Sequence, residues 1–90
     1  MKEQDIQRKI IKKLEARGCY VVKVITANKA GVPDILACCE GKFIAIEVKR
    51  PNGVLSELQK AHLAMVDKAK GRAIVAYSAD IDKLFDENRG

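Results

Sequence analysis

The chain has 90 residues, of which 48% are hydrophobic and 32% charged, and a formal net charge of +5. This length allows one domain with a small core, over residues 1–90, and the apolar fraction excludes a disordered chain. The positive charge is typical of a protein that binds a polyanion such as DNA, although a merely solvated basic surface has the same composition.

Cysteine and histidine usage excludes several kinds of site. The chain has one histidine, His62, and three cysteines, Cys19, Cys38 and Cys39, with no C-x-x-C spacing. We therefore expect neither a zinc site nor a disulfide framework, and we expect Cys38 and Cys39 to be reduced core residues. The N-terminus lacks the apolar stretch of a signal peptide and no segment has membrane-spanning length, which predicts a cytoplasmic protein.

The first half of the chain predicts one helix followed by three strands. Apolar residues at helical spacing predict an amphipathic helix over residues 2–17, which Gly18 ends. Three apolar runs predict strands over residues 20–25, 34–39 and 43–49, separated by a loop at 28–32 and a turn at 40–42. The third strand is apolar on both faces up to Glu47, as expected for a central strand.

The second half predicts two further helices and one strand. Residues 51–53 break the third strand, and a helix follows over residues 56–70 until Gly71 ends it. A strand over residues 73–77 and a short helix over residues 80–87 complete the order α-β-β-β-α-β-α. This order predicts a mixed α/β domain in which helices flank a four-stranded sheet.

Charged side chains end two of the predicted apolar strands. Asp34 begins the second strand, and Glu47 and Lys49 end the third on one face, because side chains alternate along a strand. If Glu40 and Gly41 form a two-residue turn, Asp34 lies opposite Glu47, with the Cβ atoms about 5 Å apart. A bulge at Gly41 would shift this register by one residue and change the pairing.

Two adjacent carboxylates predict a metal site. Their repulsion is relieved by a divalent cation, and oxygen ligands without a thiolate pair or a histidine cluster favour Mg²⁺ or Mn²⁺. Such an ion promotes phosphodiester hydrolysis, in which Lys49 would position the nucleophile and balance negative charge. A simpler interpretation is that Asp34 caps a turn and that Glu47 and Lys49 form a surface ion pair.

Four sequence motifs carry a resemblance to a known family. The pair P-D and E-V-K resembles the PD-(D/E)XK nuclease superfamily. The wider pattern resembles the stand-alone form of the VRR-Nuc family of virus-type replication and repair nucleases, and the resemblance extends to about Tyr77. It consists of four motifs in this order: E-x-x-I-Q, G-V-P-D-I, I-E-V-K-R-P-N-G and L-S-x-x-Q-K.

The resemblance implies roles for the residues at the strand ends. Asp34, Glu47 and the carbonyl of Val48 would bind the metal, and Lys49 would assist the attacking water. Stand-alone members are similar in fold to Holliday junction resolvases and tend to act as homodimers on branched DNA. The chain departs from some exonuclease branches because no tyrosine follows Gln59, which favours an endonuclease.

The resemblance also implies that Glu3 and Gln59 complete the site, but both residues have a structural alternative. Glu3 lies in the first turn of a helix, where an acid stabilises the helix dipole. Gln59 is the last residue of an S-x-x-Q capping box. On the flanking loops, Lys29 and Arg50 are candidates for contacts with DNA phosphates, and Asn52 lies on a loop that can approach the DNA backbone.

The leading functional hypothesis is therefore an endonuclease that uses Mg²⁺ or Mn²⁺ to hydrolyse branched DNA as a homodimer. One alternative is a catalytically silent DNA-binding module with the same fold. Another is a structural subunit with an incidental ion-pair network.

Overall fold

The seven elements follow one another in the predicted order. The computed structural model describes residues 2–87 and contains α1 (Glu3–Ala16), β1 (Tyr20–Lys23), β2 (Ile35–Cys39), β3 (Lys42–Val48), α2 (Glu57–Lys68), β4 (Arg72–Ala76) and α3 (Ile81–Glu87). Met1 and residues 88–90 belong to the predicted domain but lie outside the described residues. None of the helices within residues 2–87 has the length and apolar character needed to cross a bilayer.

Helix α1 forms because its apolar residues lie on one stripe. Ile6, Ile10 and Leu14 are almost fully buried, while the lysines between them face solvent. Gly18 ends the helix with a φ of +86°, and the backbone N–H of Cys19 donates to the carbonyl of Leu14 at 3.1 Å. The predicted glycine cap is therefore confirmed.

The sheet has the strand order β1-β2-β3-β4, and β3 is central as predicted. Strands β1, β2 and β3 are antiparallel neighbours, whereas β4 runs parallel to β3. Glu40 and Gly41 have φ values of +52° and +80°, which suit a two-residue hairpin turn. Ile35 pairs with Ile46, so the predicted register between β2 and β3 is confirmed and no bulge shifts it.

Helices cover the two faces of the sheet in different ways. The main core lies between the sheet and the helices α1 and α3, and it consists of Ile6, Ile10, Leu14, Ile35, Ala37, Ile44, Ile46, Val48, Ile74, Ala76, Ile81 and Leu84. Helix α2 packs on the opposite face, against β3 and β4. Side chains alternate along β3, so Glu47 points to the face that α2 covers while its neighbours Ile46 and Val48 point into the main core.

The expectation of reduced, buried cysteines is wrong. Cys19 and Cys39 form a disulfide with a Cα–Cα distance of 4.5 Å, and Cys38 is exposed. The reason is the register of β1 on β2, in which Tyr20 lies opposite Cys38. Cys19 consequently lies opposite Cys39 on the face of α1, while alternation turns Cys38 to the other face, which α2 does not cover at this position.

Candidate active site

The two predicted acids meet at one end of the sheet, because β2 begins where the antiparallel β3 ends. Continuing the register from Ile35 and Ile46 by one residue places Asp34 opposite Glu47. Glu47 is only 3% exposed, whereas Asp34 is half-buried at the start of the strand. The structure therefore brings these two carboxyl groups together as the sequence predicts.

Asp34 also closes the end of the sheet. Its Oδ2 accepts the backbone N–H of Val48 at 2.8 Å. This bond replaces the one that a backbone carbonyl would accept if β2 extended further towards its N-terminus. The same register places Pro33 opposite Val48. Proline has no N–H to donate, so β2 offers no backbone donor to the Val48 carbonyl. Among residues 2–87 this oxygen thus lacks the hydrogen bond that a continued strand would give it, and it is available as a third ligand beside the two acids.

The surroundings of Glu47 disfavour a negative charge on its carboxyl group. Burial, followed by the charge of Asp34 and a hydrogen bond with it, raises the pKa of Glu47 from 4.5 to about 8, and Glu3 adds to the rise. Lys49 acts in the opposite direction and lowers this pKa, but its effect is smaller. At neutral pH without a further cation, Glu47 therefore keeps its proton most of the time.

This donor set suits a hard divalent cation. Two carboxyl groups and one carbonyl supply oxygen ligands only, which Mg²⁺ and Mn²⁺ prefer. No group of three or more Asp, Glu, His or Cys side chains within residues 2–87 has an arrangement that could hold a metal. The residues that can hold one here are thus Asp34, Glu47 and Val48, together with water.

Gln59 forms the capping box and also contacts the buried acid. Its Oε1 accepts the backbone N–H of Ser56 at 2.9 Å, and its own backbone N–H donates to Ser56 Oγ at 3.1 Å. This capping box begins α2. The other end of the amide, Nε2, donates to Glu47 Oε2 at 3.3 Å. One side chain therefore starts the helix and holds the buried acid.

Glu3 reaches the same end of the sheet from the opposite layer. Its Oε2 accepts the backbone N–H of Arg50 at 3.4 Å, a long hydrogen bond, just beyond the end of β3. Its charge contributes to the raised pKa of Glu47, although less than Asp34 does. Glu3 also lies in the acidic first turn of α1, so its contribution to the helix dipole stands beside its position near the site.

The remaining candidates are Lys49 beside the acids and three residues on exposed loops. Lys49 is partly buried, and its backbone N–H donates to the carbonyl of Ala76 at 2.9 Å, which fixes the start of its side chain. Lys29, Arg50 and Asn52 are exposed on the loops that flank the strand ends. Asn52 has a φ of +69°, within a turn at 50–53 that projects beyond β3. All three can meet a ligand without rearrangement of the core.

One polar residue, the glutamine that ends the E-x-x-I-Q motif, was given no role of its own by the sequence reasoning. Gln7 is only 8% exposed, and its Oε1 has no hydrogen-bond partner among the described residues. It lies one helical turn after Glu3, on the inward stripe of α1. The signal that could have found it is a glutamine at a position where the helical pattern requires an apolar side chain.

Comparisons with known proteins decide the family. The family model described as VRR-NUC domain matches residues 1–80. The chain belongs to the VRR-NUC domain family. Among solved structures, a VRR_NUC domain is 23% identical and superposes with a TM-score of 0.81, covering 98% of this chain and 97% of that one. A comparison with curated proteins found no match.

A second solved structure extends the likeness in fold. Hjc, a Holliday junction resolvase from the archaeal hyperthermophile Archaeoglobus fulgidus, is 24% identical, with a TM-score of 0.62. The match covers 80% of this chain and 64% of the resolvase, so the chain spans less than two thirds of that protein. The mixed sheet and flanking helices of this VRR-NUC chain thus form the PD-(D/E)XK nuclease fold, and family membership supports nuclease activity with DNA as partner.

Proposed function

We propose that this VRR-NUC protein is a DNA endonuclease that depends on Mg²⁺ or Mn²⁺. The observation that carries the proposal is the pairing of Asp34 with the almost fully buried Glu47 at one end of the sheet. Burying two acids side by side is costly for folding, because like charges repel and burial removes water from them. A binding module that attracts DNA phosphates gains nothing from this arrangement.

Each residue of the site has a role that follows from its contacts. Asp34, Glu47 and the carbonyl of Val48 would hold the metal, which when bound supplies polarisation of a phosphoryl oxygen and acidification of water. Gln59 keeps Glu47 oriented through its amide. Lys49 places an ammonium group beside the acids, where it orients the attacking water and balances the negative charge of the transition state.

Glu3 has a positioning role in this proposal. Its carboxylate holds the backbone of Arg50 and so fixes the chain that leaves β3 towards the DNA. Arg50 and, from a separate loop, Lys29 would contact phosphates, and Asn52 would approach the DNA backbone from its turn. These contacts orient the scissile bond but do not take part in the chemistry.

The finer part of the proposal concerns the substrate and the assembly. The likeness in fold to a protein titled a Holliday junction resolvase supports branched DNA as the substrate. A homodimer fits this substrate, because two copies place two sites on two strands and double the basic surface of a small domain. A DNA substrate also agrees with the cytoplasmic location expected from the sequence.

The proposal is tested by cleavage of four-way junction, flap, single-stranded and linear duplex DNA with Mg²⁺, Mn²⁺ or EDTA. We expect cleavage with either metal, no cleavage in EDTA, and the fastest cleavage on a branched substrate. Asp34→Asn and Glu47→Gln should each lower the rate at least about 100-fold, because each removes an anionic ligand but keeps the shape of the side chain.

Two controls make the result specific. Glu57→Gln changes an exposed acid on the first turn of α2 and should leave the rate within a factor of two or so. DNA binding by the two site variants in EDTA shows whether they still fold and recognise the substrate. Tight binding without cleavage by the wild-type protein at every metal concentration would contradict the enzyme and support a catalytically silent module instead.

A further inference from the structure

A groove runs along the face of the sheet that carries the site. It has a volume of about 620 Å³ and lies between α2 on one side and the β2–β3 hairpin with the loop at 29–32 on the other. Its apolar floor includes Phe43, Met65 and Val66, and Lys29, Lys42 and Lys70 lie on its rim. Phe43 and Met65 are 47% and 51% exposed, so this floor faces solvent.

Close backbone contacts build the walls of this groove. A Cβ atom at Gly71 would lie 3.0 Å from Phe43 Cδ2, so the aromatic ring rests directly on the backbone that follows α2. At the other end, Gly31 has a φ of +84°, and a Cβ there would lie 2.6 Å from Leu58 Cγ. The loop that carries Lys29 is therefore packed against α2, and the groove is a fixed feature of the fold.

The charge of the groove is of one sign. Lys29, Lys42 and Lys70 are exposed, and none of them has an acidic side chain as a salt-bridge partner among the described residues. None of the described residues that line the groove is acidic. Three ammonium groups above an apolar, partly aromatic floor match a flexible polyanion whose bases can stack, which is the chemistry of an unpaired nucleic acid strand.

The backbone at Lys70 gives independent support. This residue follows the end of α2 with a φ of +74°, a position where helices favour glycine because a Cβ atom is disfavoured. The protein is therefore less stable with lysine at this position than it would be with glycine. A residue that is unfavourable for stability and presents its side chain at a groove indicates a function for that side chain.

We propose that this groove binds an unpaired segment of the DNA substrate, with phosphates on the three lysines and a base on Phe43. The inference rests on the proposed nuclease function, because it assigns a single-stranded region to the substrate of the same site. Phe43 lies four residues before Glu47 on β3, a distance of roughly 13 Å along the strand. A bound strand therefore spans a few nucleotides between the groove and the acids.

The test measures binding without cleavage. A fluorescein-labelled oligothymidine of about ten nucleotides is titrated with the protein in EDTA, and its anisotropy is followed at several salt concentrations. We expect Phe43→Leu to weaken binding about tenfold through the loss of base stacking. Lys70→Gly should reduce the slope of log K against log salt by about 0.7, the value for one phosphate contact on a single strand.

Two matched measurements separate binding from folding. Lys70→Gly suits the local backbone, so its unfolding temperature should not fall while its affinity does. Lys12→Gln removes an exposed charge from α1, in the layer on the other side of the sheet, and should change the affinity less than twofold. If Lys12→Gln and Lys70→Gly weaken binding equally, only net charge matters and the groove assignment is wrong.

The remaining outcomes are equally distinct. If the groove variants change the sedimentation coefficient and leave oligothymidine affinity unaltered, the groove is an interface between copies of the chain and the inference is overturned. Failure of the proposed function has a different signature, since the wild-type protein would then cleave no DNA with either metal. That result leaves the affinities measured in EDTA intact, so the two proposals fail separately.

Discussion

Replacing Glu47 by glutamine should stabilise the protein in the absence of metal and abolish cleavage in its presence. Burial and the neighbouring Asp34 raise the pKa of Glu47 from 4.5 to about 8. The folded protein therefore holds a proton that the unfolded chain releases between these two pH values. The contribution of this group to stability is complete below pH 4.5 and is lost as the pH rises towards 8.

The size of the effect follows from the same two values. At pH 7, ionisation of Glu47 lowers the free energy of the unfolded chain by about 3 kcal/mol, whereas the folded protein stays mostly protonated and gains little. At pH 5 the same ionisation lowers the free energy of the unfolded chain by only about 1 kcal/mol. Glutamine is neutral at both pH values, can accept from Gln59, and can donate to Asp34. Glu47→Gln should thus be more stable than the wild type by up to about 3 kcal/mol at pH 7.

Urea denaturation followed by circular dichroism in EDTA measures this difference at both pH values. The exposed Glu15→Gln is the control and should change stability by less than about 0.5 kcal/mol. With Mn²⁺ present, the wild type should gain stability and Glu47→Gln should not, because the variant lacks one anionic ligand. The reasoning is refuted if Glu47→Gln is no more stable than the wild type at pH 7, or if its advantage is as large at pH 5.

Three further predictions concern the surroundings of the site. Pro33→Ala supplies an N–H opposite the Val48 carbonyl, and this N–H should compete with Mn²⁺ for the oxygen. Mn²⁺ affinity should fall about tenfold, because the competing hydrogen bond has a net free energy of about 1 kcal/mol. An unchanged affinity by calorimetry would exclude Val48 as a ligand. Ser56→Ala should cost about 1 kcal/mol of stability but keep most of the cleavage rate, whereas Gln59→Ala should lose both because it also releases Glu47. Reducing the disulfide should lower the unfolding free energy by about 3 kcal/mol, because the bond closes a loop with a sequence separation of 20 in the unfolded chain. Urea titrations with and without dithiothreitol measure this difference, and a value below about 1 kcal/mol would show that the bond adds little.

Short-range patterns were sufficient to predict the meeting of the two acids. The register between β2 and β3 depends only on the turn that joins them, and Glu40 and Gly41 suit a two-residue turn. Once the length of the turn is known, the partner of every residue in both strands follows by counting. This is why Asp34 and Glu47 could be paired before the structure was known.

The disulfide could not be predicted in the same way. Strands β1 and β2 are joined by the loop at 24–34, which is too long to determine a register by turn geometry. The position of Cys19 opposite Cys39 depends on this register. The groove was missed for a related reason, since it exists only after α2 has packed beside the β2–β3 hairpin, a contact between segments distant in sequence.

The two roles of Gln59 show a different limit of sequence reasoning. The capping pattern and the family motif implied separate functions for this residue, and the sequence offered no ground for choosing between them. The structure shows that Oε1 faces Ser56 while Nε2 faces Glu47. The amide has two ends with different hydrogen-bonding character, so the capping contact and the contact with Glu47 do not exclude each other.

Because the hairpin between β2 and β3 is tight, the pairing of the two acids depends on how many residues each strand has between its acid and the turn. Adding a single residue to one strand beside the turn, with the turn unchanged, would shift the register by one residue, so that one of the two acids would point into the main core. Adding a pair of residues, one to each strand beside the turn, would lengthen the hairpin and keep the acids opposed. Insertions beside this turn should therefore preserve the site only when each strand receives the same number of residues.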